Sequence, residues 1–142
     1  MIHDPVMTIG NMIDHQELAF IGSVDSNGFP TMKAMLAPQK RVGLRTFYFT
    51  TSCDAKRTQE YQENPKGCIY FYDPTFFRGV MFQGTVEVIV ASEIKEDFWK
   101  PENEGYFVNG KKDPNFCVLK FTIDKGRYFS NEKVDDFEVS EE

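Results

Sequence analysis

The 142-residue chain reads as a mainly β protein, a closed or partly closed antiparallel barrel of about six strands with a few short helices. Three observations predict it. Short apolar, β-branched and aromatic runs recur between turn signals. The helical patterns are few and short, and the connections are too brief for a doubly wound sheet. Apolar residues make up 41% of the chain and aromatics 15%, with 14 Phe and 6 Tyr, enough to fill one core without disulfides or metals.

The elements follow in order. Val6, Ile9 and Ile13 recur at spacings of three and four, which predicts a short helix over 5–14 with Val6 on its apolar face. Residues 18–24 form a strand, Asp25-Ser26-Asn27-Gly28 a turn, and 31–37 the returning strand of a hairpin. Thr46-Phe47-Tyr48-Phe49-Thr50-Thr51 is a third strand, and Ser52, Cys53 and Asp54 are candidate N-caps for a helix over 55–64 that Pro65 ends. Residues 68–72 form strand four, and Asp73-Pro74 a turn. A long fifth strand covers 80–90, interrupted at Gly84 by a bulge or a close backbone approach. A short helix over 93–99 and a loop over 101–114 precede strand six at 116–123, which resumes at Arg127-Tyr128-Phe129 after a turn at Asp124-Lys125-Gly126.

The net charge of −6 sits almost entirely in the last residues, where six acids face the single cation Lys133. The chain therefore divides into a barrel domain over 1–131 and a solvated acidic tail over 132–142. Such a balance argues against nucleic acid as a partner. Cys53, Cys68 and Cys117 are odd in number and widely spaced, which predicts free thiols in a reducing compartment. The start lacks the basic, apolar pattern of a leader, and no stretch is long and apolar enough to span a membrane. Cytoplasmic localisation is the expectation. His3 and His15 have no second ligand at useful spacing, so no metal site is expected.

Two segments carry candidate chemistry. From Phe49 to Arg57 a strand rich in hydroxyls hands over to a helix that opens with Lys56-Arg57, and hydroxyls, helix N-terminal N–H groups and cations are what a phosphate accepts from. An ordinary capped helix with solvent-facing cations is the commoner reading of these residues on motif strength alone. From Gly28 to Met35 the alternation sets Thr31, Lys33 and Met35 on one strand face, where a cation and a thioether could flank a ligand, although a solvent-facing lysine and a core methionine are the commoner reading. Lys40, Arg41 and Arg45 form a basic loop, either solvated or suited to a second phosphate-bearing molecule.

Gly28-x-Pro30-x-x-Lys33, Phe49-Thr50-Thr51, the run from Ser52 to Lys56, and Asn64-Pro65 resemble, in that order, the pyridoxamine 5'-phosphate oxidase-like flavin-binding split barrels, with the general stress protein subgroup the nearest in flavour. Gly84-Thr85-Val86-Glu87, Gly105-Tyr106-Phe107, Asp113-Pro114 and Val118-Leu119-Lys120-Phe121 extend the resemblance over about residues 16–130. It implies a six-stranded antiparallel split β-barrel, a homodimer, and FMN bound at the interface. It also implies that Lys33, Ala34 and Met35 lie along the isoalloxazine and that Phe49, Thr50 and Thr51 flank the ring and ribityl chain. Lys56 would meet the phosphate with backbone N–H groups at Asp54 and Ala55 and with Arg57, while Gln83 would supply an amide and Tyr106 or Phe107 of the partner would cover the cofactor.

The resemblance implies a flavin-dependent oxidoreductase using NAD(P)H or another small molecule. A non-catalytic flavin-storage stress protein, or the same barrel holding deazaflavin or haem, is the alternative. Ala55 and Gly79 stand where many full-length oxidases carry arginine and glutamine, and the C-terminal tryptophan and arginine segment of true pyridoxamine phosphate oxidases is missing. Vitamin B6 synthesis is therefore not expected.

Overall fold

A computed structural model describes residues 5–90, 98 and 114–140. Helix α1 (Pro5–Asp14) leads into β1 (Leu18–Val24) and β2 (Pro30–Leu36), followed by β3 (Lys40–Val42), β4 (Thr46–Ser52) and α2 (Lys56–Glu63). Strands β5 (Lys66–Asp73), β6 (Arg78–Ile89), β7 (Phe116–Ser130) and β8 (Lys133–Glu138) complete the elements of the described residues. All strand pairs are antiparallel, in the order β2-β1-β5-β6-β7-β4-β3, with β8 added beside β7. The mainly β class holds, with eight strands among the described residues against the expected six.

The β1–β2 hairpin closes as its residues require. Asp25 Oδ1 accepts the N–H groups of Asn27 and Phe29, both at 2.9 Å, and Gly28 takes φ +85°, a conformation that glycine adopts without steric cost. On the inner sheet face, Phe47, Phe49, Phe71, Phe82 and Phe121 are fully buried and meet edge to face or tilted. Helix α1 adds Ile9, Met12 and Ile13 to this core, whereas Val6, expected on the same face, is exposed.

Four expectations are corrected. Residues 124–126 do not turn: β7 runs unbroken through them, and Asp124 is the extra residue of a bulge opposite Gln83 and Gly84. Residues 40–42, read as loop, form β3 on the edge of β4. The acidic segment is not wholly solvated, since β8 pairs with the second half of β7 and packs Phe137 against the core beside Phe82. Gly126 leaves the space that the Phe137 ring fills.

The fourth correction concerns the cysteines. Cys53 and Cys117 form a disulfide with Cα atoms 5.4 Å apart, and Cys68 alone is a free thiol. The β4–β7 register explains the meeting. Thr51 pairs with Cys117, and the Cys53 N–H donates to the Asn115 carbonyl at 2.7 Å, so the two cysteines face each other diagonally across the ladder end. The expected helix over 93–99 and the loop beyond it fall outside the described residues except at Phe98, which is helical and stacks on Tyr48.

Candidate functional site: a basic cavity at the start of α2

Strand β4 alternates strictly, so Phe47, Phe49 and Thr51 point inward while Tyr48, Thr50 and Ser52 point the other way. After Ser52 the chain turns and enters α2, whose N-cap is Ala55 with an extended backbone and no side-chain cap. This corrects the capping expectation. The Asp54 N–H donates to Asn115 Oδ1 at 3.0 Å and the Ala55 N–H to the Ser52 carbonyl at 3.3 Å, so neither amide is reserved for a phosphate. The Thr58 hydroxyl donates to the Ser52 carbonyl at 2.8 Å and pins the helix start to the strand end.

The helix then presents Lys56, Arg57 and Glu60 to a cavity of about 200 Å³ whose other walls are Ile21, Ser23, Thr31, Met32 and Lys33. Arg57 Nη2 donates to the buried Thr51 hydroxyl at 2.7 Å, while its Nε–H is buried without a hydrogen-bond partner. Burial pushes the guanidinium pKa below its ordinary value, yet arginine stays charged in proteins. A buried cationic donor left unpartnered is costly. The guanidinium shares the cavity with Lys33 and Lys56, so an anion there would meet three cations.

Glu60 is the counterweight. Its Oε1 accepts from the Ser23 hydroxyl at 2.6 Å and the Thr31 hydroxyl at 2.8 Å, and those hydroxyls lie 2.7 Å apart. Three cations and one carboxylate therefore line the cavity. Sequence reasoning missed both Glu60 and Ser23. Glu60 had one legible signal, its place four residues after Lys56 on the same helix face; Ser23 had none.

Among the expected site residues, Lys33, Lys56 and Arg57 converge here, with Thr51 held by Arg57. Others do not. Phe49 and Met35 are buried in the core, and the Phe49 side chain packs edge to face on Phe121, so neither side chain flanks this cavity. Thr50 lies on the opposite strand face and accepts from Gln39 Nε2 at 3.4 Å. Ala34 is exposed on the outer sheet face, while Gln83 lines a separate cavity of about 330 Å³ with Met81, Lys125 and Arg127. Tyr106 and Phe107 lie outside the described residues.

The two arginines of the basic loop are spent on structure. Arg41 makes a two-bond pair with Asp14, both at 2.8 Å, and Arg45 donates to the Ile123 and Val139 carbonyls. Gly79 also has a structural reason, because a side chain there would run into the Tyr70 ring. Among the described residues, no group of three potential ligands could hold a metal ion, and no helix is long and apolar enough to cross a membrane.

An antiparallel barrel that closes one wall around a cluster of cations is the class of protein defined so far, and comparison with known proteins specifies it. The family model described as pyridoxamine 5'-phosphate oxidase matches residues 8–130, and the chain belongs to that family. It is 27% identical over 99 residues to the pyridoxine/pyridoxamine 5'-phosphate oxidase of Pseudomonas putida (strain W619), a match spanning 70% of this chain and 45% of that relative's length.

Among solved structures, it is similar to a Clostridium acetobutylicum protein related to general stress protein 26 of B. subtilis, of the pyridoxinephosphate oxidase family. The TM-score is 0.87 at 28% identity, covering 98% of this chain and 97% of that one. General stress protein 26 of Bacillus anthracis str. Sterne shares the fold, with a TM-score of 0.75 at 17% identity over 93% and 98% of the two chains.

Proposed function

We propose that this protein binds FMN, with the phosphate in the cavity of Lys33, Lys56 and Arg57, and serves as a flavin-dependent oxidoreductase in the cytoplasm. The observation that carries the reading is the convergence on one cavity of Lys33, Lys56 and Arg57, whose Nε–H is buried without a partner. The donor set fits a terminal phosphate: Arg57 offers directed N–H groups from a side chain already fixed by Thr51, and the lysines add mobile charge. Glu60 faces the same space and keeps the Ser23 and Thr31 hydroxyls oriented toward itself.

Bound FMN would supply the redox chemistry, accepting and passing on hydride or electrons at its ring. The chain's own part is to bind and orient. A cavity of about 200 Å³ takes a phosphoryl group, whereas whole-ligand pockets run to roughly 300–1,000 Å³, so the ring must extend beyond it. A second subunit is the natural cover. The outer face of β2, β1 and β5 supports that reading with Met32 and Leu36, each 68% exposed, beside Leu18 at 51%.

The test is Lys56→Ala. Alanine preserves the helix and removes one charge, so FMN binding should weaken roughly ten- to hundred-fold by fluorescence titration. Riboflavin, which lacks the phosphate, should bind parent and variant alike. Equal FMN affinity in the two proteins, or an equal loss of riboflavin, would show that this cavity does not hold the phosphate.

A further inference from the structure

The disulfide lies against the element that builds the cavity. Cys53 is two residues beyond Thr51, the acceptor for Arg57, and four before Arg57 itself. Its partner Cys117 is anchored at the centre of the molecule: it is fully buried in β7, a strand held between β4 and β6. Cys53 is only half-buried. The bond spans 64 residues of chain and clamps the turn between β4 and α2 to the sheet.

Without that bond, the turn would rest on hydrogen bonds: Cys53 N–H and Asp54 N–H to Asn115, Ala55 N–H to Ser52, and the Thr58 hydroxyl to the Ser52 carbonyl. The Cys53, Asp54 and Ala55 bonds belong to the turn itself, where opening is easy, and among these bonds only that of the buried Thr58 hydroxyl ties the helix to the strand end. The Arg57–Thr51 contact needs the helix start to stay against the strand end.

We infer that Cys53 and Cys117 form a reversible redox latch: the oxidised pair holds the start of α2 in its anion-binding position, and the dithiol releases it. The affinity part rests on the FMN reading above; the ordering part does not. The Cα separation of 5.4 Å permits the bond without moving either strand. The half-buried Cys53 is the entry point for exchange. Its thiolate attacks a low-molecular-weight disulfide, a mixed disulfide forms and one thiolate leaves. The Cys117 thiol then gives up its proton as its sulfur attacks Cys53, and the second thiolate departs. Two protein thiols are oxidised, one small disulfide is reduced to two thiols, and both protons end on the released thiols.

The experiment uses the full chain with Cys68→Ser, so that the third thiol takes no part, equilibrated in reduced or oxidised glutathione. Hydrogen exchange at the amides of Cys53, Asp54 and Thr58 is measured in each form, and FMN is titrated into each. Oxidation should slow exchange at those amides and tighten FMN binding roughly ten-fold. By reciprocity, a ten-fold coupling means that saturating FMN lowers the reduction potential of the pair by about 30 mV.

Cys53→Ser should match the reduced form and ignore the glutathione ratio, which separates the latch from any general effect of oxidant. Equal exchange in both forms, equal FMN affinity in both, or a bond that glutathione neither makes nor breaks in the folded protein overturns the latch. If neither form binds FMN but oxidation still slows exchange, the turn is latched and the FMN reading alone fails.

Discussion

Lys56 and Arg57 are adjacent in sequence, but the protein treats them differently. Arg57 is drawn in, its guanidinium half-desolvated and tied to Thr51, while Lys56 stays exposed at the cavity rim. Arginine keeps its charge under burial, whereas lysine sheds its proton readily when desolvated, so the inner position suits only the former. A second residue-scale device ties the turn after β5. Asp73 accepts from Arg78 Nε at 2.8 Å and from the Thr75 N–H at 3.0 Å, while Arg78 also lies over the Phe76 ring. Chiefly through the Arg78 bond, the Asp73 carboxyl is held below the usual aspartate range. A folded-state pKa below the unfolded one contributes stability above the unfolded value, near pH 4, which is lost as pH falls through the folded value. Asp73→Asn should therefore be less stable than the parent at pH 7, and the gap should narrow as pH drops below about 4 in urea titrations. A gap unchanged from pH 7 to pH 2 would exclude the pair as its source.

At the scale of elements, the long strands β6 and β7 organise everything else. Strand β7 pairs with β4 through Thr122 and with β8 from Lys125, and it changes partner at the Asp124 bulge. Bulges bend and twist the strand that carries them, which lets one 15-residue strand serve both halves of the barrel. Gly84 stands opposite that bulge, and a Cβ there would collide with the Thr122 backbone carbonyl. A backbone clash has no flexible side chain to move aside. Gly84→Ala should destabilise the fold by roughly 2 kcal/mol or more, whereas Thr85→Ala, exposed one residue later, should stay within about 0.5 kcal/mol of the parent. Chemical denaturation midpoints decide it, and equal midpoints for the two variants would show that the bulge is not needed.

For the whole molecule, the question is what covers the outer apolar face. Leu18 and Leu36 are cross-strand partners, Met32 and Phe20 lie on the same side, and all are exposed in the single chain. Apolar clusters of this kind on a sheet mark association surfaces more often than solvated ones. Leu36→Glu places a charge at the end of the patch, opposite Leu18, at a side chain 68% exposed. The variant should keep its thermal unfolding transition within a few degrees, shift from dimer to monomer in light scattering at micromolar concentration, and lose FMN affinity along with the dimer. A parent protein already monomeric with FMN bound would count against the shared site.

The backbone path was largely legible because its signals are local. Asp25 and Gly28 close their hairpin with bonds two to four residues long, Pro65 ends α2, and the alternation in 46–51 sets one strand face inward in any fold that buries it. Lys56 and Arg57 were legible as site candidates for the same reason, since cations at a helix start are visible in a short window, and Lys33 stood out by strand alternation with Thr31 and Met35. What the sequence alone left undecided depends on register between distant segments. The Ser23–Glu60 bond joins residues 37 apart, and the Cys53–Cys117 bond residues 64 apart. Strand β8 reads as a polar tail until Gly126 opens room for Phe137. Shifting any of these pairings by one residue would turn the side chains to the other sheet face. The sequence determined the strands and the charges; only the packed barrel decided which hydroxyls and which acid meet at the cavity, and which cysteines pair beside the turn into α2.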